Sequence, residues 1–462
     1  MISSHNIDTF FNPDSVAIIG ASNREGSVGY VICKNFLKGD YKGRMYPITL
    51  SSDEVLGQKA YRSVLDVEGD IDLAVIAIPA KAVNPVLREC AKKGIKSCVV
   101  ISGGFSEIGE KEREEELKRI VEETGIRVIG PNCVGIYDTY SNVDTIFLPE
   151  DRMARPRKGS ISLISQSGAF VSAILDWASG ENIGMSKVIS FGNKADVNYS
   201  DLLDYLAEDE NTGVITIYME GVGDGRKFMR AAKKAIKNKP IVILKSGRSK
   251  AGAAAAASHT GSLAGADTVY SAAFKQSGIV RVYTPQEMFD IAKALVCRKR
   301  PHGRRVAIVT DGGGTGVIAT DFLEDYGLEM ASLDDAVKER MKSKLPTYCS
   351  VKNPIDLTGD ADVERYEIAL NEVLKDDNVD AVLLILLFQV PTLEDDVVER
   401  LLPIIIDSDK PIFAISAGGK YSRDKLRELE EHCIPCYQSS SNAVHALASI
   451  MDYYGYVDKK HE

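Results

Sequence analysis

Residues 16–29 read Val-Ala-Ile-Ile-Gly-Ala-Ser-Asn-Arg-Glu-Gly-Ser-Val-Gly. A short apolar run stops at a glycine, and a helical pattern follows. The stretch reads as a buried strand, a tight corner, then a helix whose first N–H groups lack backbone partners. Such a helix start favours an anion, because the free N–H groups and the helix dipole point the same way. The pattern occurs twice more. Residues 160–171 read Ser-Ile-Ser-Leu-Ile-Ser-Gln-Ser-Gly-Ala-Phe-Val, and residues 306–317 read Val-Ala-Ile-Val-Thr-Asp-Gly-Gly-Gly-Thr-Gly-Val. None of the three is a Walker A loop. The first lacks the G-x-G-x-x-G spacing, and no acidic residue ends the next strand to hold a ribose, which disfavours NAD. A CoA-like or nucleotide-like phosphate ligand stays open there, as does a tight turn with no ligand.

Outward from these turns, apolar runs at 73–78, 97–101, 127–129, 187–190, 214–218, 240–244, 381–387 and 411–415 alternate with helical patterns. That rhythm predicts βαβ units and parallel sheets, an α/β fold. Two basic, proline-containing segments, 151–159 and 297–305, read as linkers. They divide the 462 residues into expected domains at 1–150, 151–300 and 301–462. Hydrophobic residues at 44% and charged residues at 26% exclude a disordered chain. A net charge of −10 disfavours a nucleic-acid partner. The longest clean apolar run, 381–388, is far short of the roughly 20 residues a membrane helix needs. The first residues lack a signal peptide's basic and apolar regions, so a cytoplasmic protein is expected.

Eight scattered cysteines form no disulfide framework, and Cys433-Ile-Pro-Cys436 is a C-x-x-C without a partner pair. No histidine pair has zinc spacing, so no metal site is expected. The mixed-charge run 107–123 reads as a solvated helix face. His5, His302, His432, His445 and His461 read as surface or packing residues. His259 differs, because it lies in the small-residue loop Ser258-His-Thr-Gly-Ser262, with no apolar stripe to explain it. A neutral imidazole there is a nucleophile suited to a phosphoryl group. Glu220 ends an apolar strand before a glycine turn, where a carboxylate orients an imidazole and stabilises its positive charge. A helix cap or solvated turn is the plainer reading of the same residue.

Nine motifs in one order carry a resemblance: Gly20-Ala-Ser22, Ala77-Ile-Pro79, Ser102-Gly-Gly-Phe-Ser-Glu107, Gly130-Pro-Asn-Cys133, Ser165-Gln-Ser-Gly168, Ser190-Phe-Gly-Asn193, Glu220-Gly, Ser258-His-Thr-Gly261 and Asp311-Gly-Gly-Gly314. Over essentially its whole length the chain resembles the α subunits of the NDP-forming acyl-CoA synthetases, ADP-forming acetyl-CoA synthetase among them, within the succinyl-CoA synthetase superfamily. The resemblance implies three doubly wound domains: a Rossmann-type CoA-binding domain, then two flavodoxin-like ligase domains. It implies that His259 is the residue phosphorylated in the cycle and Glu220 the glutamate that holds it. Ser167, Gly168, Gly313 and Gly314 match the two helix starts that embrace the phosphohistidine. Asn193 matches a loop near the acyl phosphate. Gly20, Ala21, Ser22, Pro79 and Gly103 match segments lining CoA, with Asn132 and Cys133 near its thiol. The implied reaction takes acyl-CoA, phosphate and ADP to acid, CoA and ATP through an acyl phosphate and phospho-His259.

One departure stands out. After Met45-Tyr-Pro47 the family continues Val-Asn-Pro-Lys, whereas this chain reads Ile48-Thr-Leu-Ser-Ser-Asp-Glu54. The change touches contacts expected to serve CoA. No ATP-grasp segment is apparent, so the resemblance implies a separate ATP-grasp β subunit carrying ADP/ATP with Mg2+, in an α2β2 assembly. A competing reading is a non-catalytic CoA-binding regulatory protein of the same fold. The intact Glu220 and His259 weigh against it.

Overall fold

A computed structural model of the chain describes residues 5–254 and 266–459. The chain forms two compact units, Met1–Pro285 and Gln286–Glu462. His259, and most of the alanine run around 253–257, lie outside the described residues.

The first unit holds two large sheets and a two-stranded hairpin. Strands β1 (Ser15–Ile19), β2 (Arg44–Ile48), β3 (Leu73–Ile76), β4 (Ser97–Val100) and β5 (Arg127–Ile129) form a parallel sheet ordered β2-β1-β3-β4-β5. β1, β3, β4 and β5 are buried along their whole length, as their mainly apolar runs require. β2 has no such run. It opens on arginine and contains Pro47, which only an edge strand tolerates. The sequence pattern therefore hid it.

The second sheet comprises β6 (Ile136–Asp138), β7 (Lys158–Ser165), β8 (Met185–Ser190), β9 (Val214–Met219), β10 (Ile241–Lys245) and β11 (Val280–Val282), ordered β11-β10-β9-β7-β8-β6. All pairs are parallel except β8 with β6. Lys187 faces Asp138 across that antiparallel pair. Its ammonium is 1% exposed and bridges Asp138 at 3.1 Å and Asp209 at 2.9 Å. Lys187→Met would leave two buried carboxylates without their cation. It is expected to cost about 3–5 kcal/mol, read as a lower denaturation midpoint; an unchanged midpoint would contradict the triad's role.

Residues 193–197 run along β5 and join the two sheets. Asn193 N–H donates to Pro131 O at 3.0 Å, Ala195 N–H to Gly130 O at 3.1 Å and Val197 N–H to Val128 O at 3.1 Å. The Asp196 carboxylate accepts from Arg127 Nε at 2.9 Å and from Val128 N–H at 2.8 Å.

The second unit carries β12 (Arg305–Thr310), β13 (Glu329–Met330), β14 (Ile355–Asp356), β15 (Ala381–Ile385), β16 (Ile412–Ile415) and β17 (Cys436–Tyr437). The parallel order is β13-β12-β15-β16-β17, with β14 also paired to β12. The helix Pro285–Val296, inside the expected second domain, is held to this third sheet. Lys293 pairs with Glu430 at 2.9 Å, and Tyr437 Oη donates to Asp290 O at 2.8 Å.

β1, β7 and β12 are each inner strands, with the next strand of the chain on one side and a later one on the other. Ligand crevices in open α/β sheets form at such switch points, outside the carboxyl ends of the strands. All three glycine turns sit there, after β1, β7 and β12. No helix among the described residues is long and apolar enough to cross a membrane.

Candidate functional site

The corner after β1 is closed from both sides. Gly20 has φ +96°, and a Cβ there would run into the Ala77 carbonyl. A Cβ on Gly29, in the following helix Val28–Lys38, would run into the Gly20 carbonyl in turn. Two glycines therefore let helix and corner pack backbone to backbone. The N–H groups of Gly20 and Ala21 both donate to Ile48 O, at 3.0 and 3.2 Å. Ser22 Oγ accepts from Arg24 N–H at 3.0 Å. The altered stretch 48–54 is tied to the same turn. Asn23 Nδ2 donates to Glu54 O at 2.8 Å, and its Oδ1 accepts from Leu56 N–H at 3.0 Å. A short hairpin, Glu54–Val55 with Gln58–Lys59, is pinned there by one side chain.

A cavity of about 570 Å3 opens where the two sheets of this unit meet. Gly103, Asn132 and Cys133 line it from the first sheet's loops, and Gln166, Ser167 and Gly168 from the second's. Five residues expected to serve CoA or phosphate thus share one cavity. Gly20, Ala21, Ser22 and Pro79 are off its lining, although Val28, Ala77 and Ile78 of the same turns reach it. A wider crevice of about 1120 Å3 shares Val28 and Phe147 with it and carries Lys34, Lys38 and Arg152.

Gly168 opens the helix Gly168–Gly180, and a Cβ there would stand 2.5 Å from Val134 Cγ2. Ser167 caps that helix, its Oγ accepting from Phe170 N–H at 3.3 Å. Burial pushes the Cys133 thiol up to about 12, and Sγ donates to Val100 O at 3.3 Å. It is a wall of the cavity, and no nucleophile at neutral pH.

Asn193 lies off the lining. Its Oδ1 accepts from Asn132 Nδ2 at 3.3 Å, and its own Nδ2 is spent on Glu107 at 2.6 Å and Glu114 at 2.9 Å. It therefore orients Asn132 and presents no free donor of its own. Glu114 corrects the reading of 107–123 as a wholly solvated face. It is 6% exposed, because the helix Lys111–Thr124 turns it, with Leu117 and Ile120, inward. Partial burial works to raise the Glu107 pKa. Donation from Gly104 N–H, the Asn193 amide and Phe105 N–H outweighs it and leaves the carboxyl below its ordinary value.

Glu220 follows β9 and is half-buried. Gln166 fixes its backbone: Oε1 accepts from Glu220 N–H and Gly221 N–H, both at 3.0 Å, and from Tyr199 Oη at 2.7 Å. One side chain thus joins the Ser167 turn to the Glu220 turn. Among the described residues nothing donates to the Glu220 carboxylate. Lys194 and Lys245 stand near it, and the sequence marked neither. Their signal is three-dimensional, since β8, β9 and β10 bring them together from distant positions.

In the second unit, Asp311 and Gly312 precede the helix Gly313–Asp325, whose first residues Gly313 and Gly314 open to the surface. Asp311 is 2% exposed and accepts from Leu387 N–H at 3.1 Å. Burial raises its pKa from 3.8 to about 6 despite that donor. The folded chain therefore holds a proton there that the unfolded chain gives up near pH 3.8. The associated stabilisation is present below that pH and is lost as pH rises through about 6. Asp311→Asn should remove this dependence, so its midpoint should gain on wild type from pH 4 to 7. A constant difference would contradict the assignment.

Among the described residues no group of three or more metal-ligating side chains is gathered. All eight cysteines are free. The His445 ring stacks on Tyr326 at 4.8 Å, a packing role.

Three family models cover the three sheets. A CoA binding domain matches residues 14–139, a succinyl-CoA-ligase-like flavodoxin domain 158–295 and a ligase-CoA domain 306–455. With the cavity between the first two sheets, they define the class as an acid–CoA ligase chain. The α subunit of ADP-forming acetate–CoA ligase I from Pyrococcus furiosus is 43% identical over 456 residues, covering 96% of this chain and 97% of the relative. The ADP-forming acetate–CoA ligase of Methanocaldococcus jannaschii is 44% identical over 96% of this chain, which spans 62% of that relative. A solved acetyl-coenzyme A synthetase 1 from Ca. Korarchaeum cryptofilum, in complex with phosphate and ADP, superimposes with a TM-score of 0.92. It is 37% identical and covers 100% of both chains. The chain belongs to the family of ADP-forming acetate–CoA ligase α subunits.

Proposed function

We propose that the chain is the α subunit of an ADP-forming acyl-CoA synthetase acting on acetyl-CoA or a related small acyl-CoA. The observation that carries this reading is the shared cavity. Gly103, Asn132 and Cys133 face it from the CoA-binding domain, and the Ser167–Gly168 helix start faces it from the ligase domain. A thioester entering from the first side meets a site for phosphate on the second. Phosphate oxygen attacks the thioester carbonyl, the C–S bond breaks, and CoA leaves with an acyl phosphate behind. The His259 imidazole then attacks phosphorus, the P–O bond to the acyl group breaks, and the carboxylic acid leaves. Glu220 accepts the other imidazole N–H and steadies the positive ring.

The helix start at Ser167–Gly168 stabilises the phosphoryl charge. Phospho-His259 finally gives its phosphoryl group to ADP. That last step belongs to a separate ATP-grasp β subunit holding the nucleotide with Mg2+, in an α2β2 assembly in the cytoplasm.

Titration of the full chain with acetyl-CoA and with NAD tests the ligand half of this reading. Saturable acetyl-CoA binding without NAD binding is expected. NAD binding in the absence of CoA binding would overturn it.

A further inference from the structure

We propose that Lys194 and Lys245 form a phosphate-dianion site beside Glu220, an inference that rests on the ligase reading and deepens it. Three observations converge on it. The two lysines approach the Glu220 turn from different strands. Lys245 ends β10, which pairs with β9, and Lys194 reaches from the loop after β8. Each ammonium makes a single hydrogen bond to a backbone carbonyl. Lys194 Nζ donates to Gly221 O at 2.8 Å, and Lys245 Nζ to Ser246 O. Each also lies over a tyrosine ring, Lys194 at 5.7 Å from Tyr199 and Lys245 at 4.7 Å from Tyr270.

An ammonium has three donors, so two on each lysine have no acceptor among the described residues. Lys245 is only 4% exposed and Lys194 is half-buried, so little solvent reaches the first of them. Neither lysine forms an ion pair among the described residues. A buried cation without a paired anion is costly, and an arriving anion relieves that cost.

The charge count agrees. Arg281 and Asp267 pair with each other at 2.6 Å and cancel. Two lysines then face one carboxylate, Glu220, which leaves one positive charge over. Tyr199 and Tyr270 face the pair, and Tyr218 faces Glu220. Burial pulls the Lys194 ammonium down to about 8 against the pull of Glu220. Burial likewise lowers Lys245, with Asp267 and Glu220 opposing and Arg281 adding to the shift. Lys194 is therefore charged at pH 7 and loses its proton as the pH rises through about 8. Two donors on flexible stems suit the tetrahedral oxygens of a phosphate, either free or as the phosphoryl group of an acyl phosphate.

Calorimetric titration of the full chain at pH 7 with inorganic phosphate, and separately with acetyl phosphate, tests the site. Lys194→Met and Lys245→Met are each expected to raise the phosphate Kd by about tenfold or more. Arginine at either position should restore it to within about threefold. Raising the pH from 7 to 9 should weaken wild type and spare Lys194→Arg. Weakening of both ligands assigns the site to phosphoryl groups in general, and weakening of inorganic phosphate alone assigns it to the attacking phosphate. Folded methionine variants that bind both ligands with the wild-type Kd would overturn the proposal. If the lysine variants weaken phosphate as expected but wild type takes no label on His259 from acetyl-CoA and phosphate, the anion site stands and the ligase reading falls. Labelled wild type with unaffected methionine variants gives the reverse.

Discussion

Glu220→Gln is expected to slow ATP formation by about a hundred- to a thousandfold while acetyl-CoA binding stays within about threefold of wild type. Glutamine keeps the size and the backbone. It loses the charge that favours a positive imidazole, and its amide can favour the wrong tautomer. The expected loss lies in the range for removing a group that orients a reacting histidine. Its neighbours make Glu220 a clean target. Gln166 holds the Glu220 and Gly221 N–H groups, not the carboxylate, so the substitution leaves the turn's hydrogen bonds in place. Steady-state turnover with the partner subunit present measures the effect. Turnover within threefold of wild type would remove Glu220 from the mechanism.

Gly20→Val is the second large effect. It places a β-branched residue at φ +96° and drives its Cβ into the Ala77 carbonyl, a backbone atom that cannot swing away. Strain of this kind costs on the order of 3 kcal/mol or more. The displaced corner also carries Ala77 and Ile78, which line the cavity. The expected outcome is a lower unfolding midpoint together with loss of acetyl-CoA binding. A variant of wild-type midpoint and affinity would show that the backbone contact after β1 matters to neither.

Much of the fold was legible because burial on both faces writes itself into a sequence. β1, β9 and β15 are largely apolar runs, and glycine turns follow β1, β7 and β12. Two of the edge strands carry no such mark. β2 contains proline, and β6, Ile136–Asp138, is three residues long and antiparallel. The helix Pro285–Val296 shows another limit. Its apolar face does not reveal which sheet it packs against, and side chains such as Asp290 and Lys293 supply the answer only in three dimensions.

The site was legible where chemistry clusters along the chain. Ser167, Gly168, Gly103, Asn132 and Cys133 came from motifs and meet at one cavity. Residues whose roles depend on distant contacts were invisible. Glu114 looked like one charge among many, yet its carboxylate accepts from Ser106 and from the Asn193 amide 79 positions away. Lys194 and Lys245 belong to the same class, since nothing in their local sequence marks an ammonium that lacks an anion among the described residues.

The most direct test of the central claim uses the full chain with acetyl-CoA and labelled phosphate, with and without the nucleotide-binding subunit. Label that survives alkali, is lost in acid, maps to His259 and is absent from His259→Ala is the result the account requires. No label on His259 in either condition, across acetyl-CoA and other small acyl-CoAs, would contradict it and leave a CoA-binding regulatory protein as the better description.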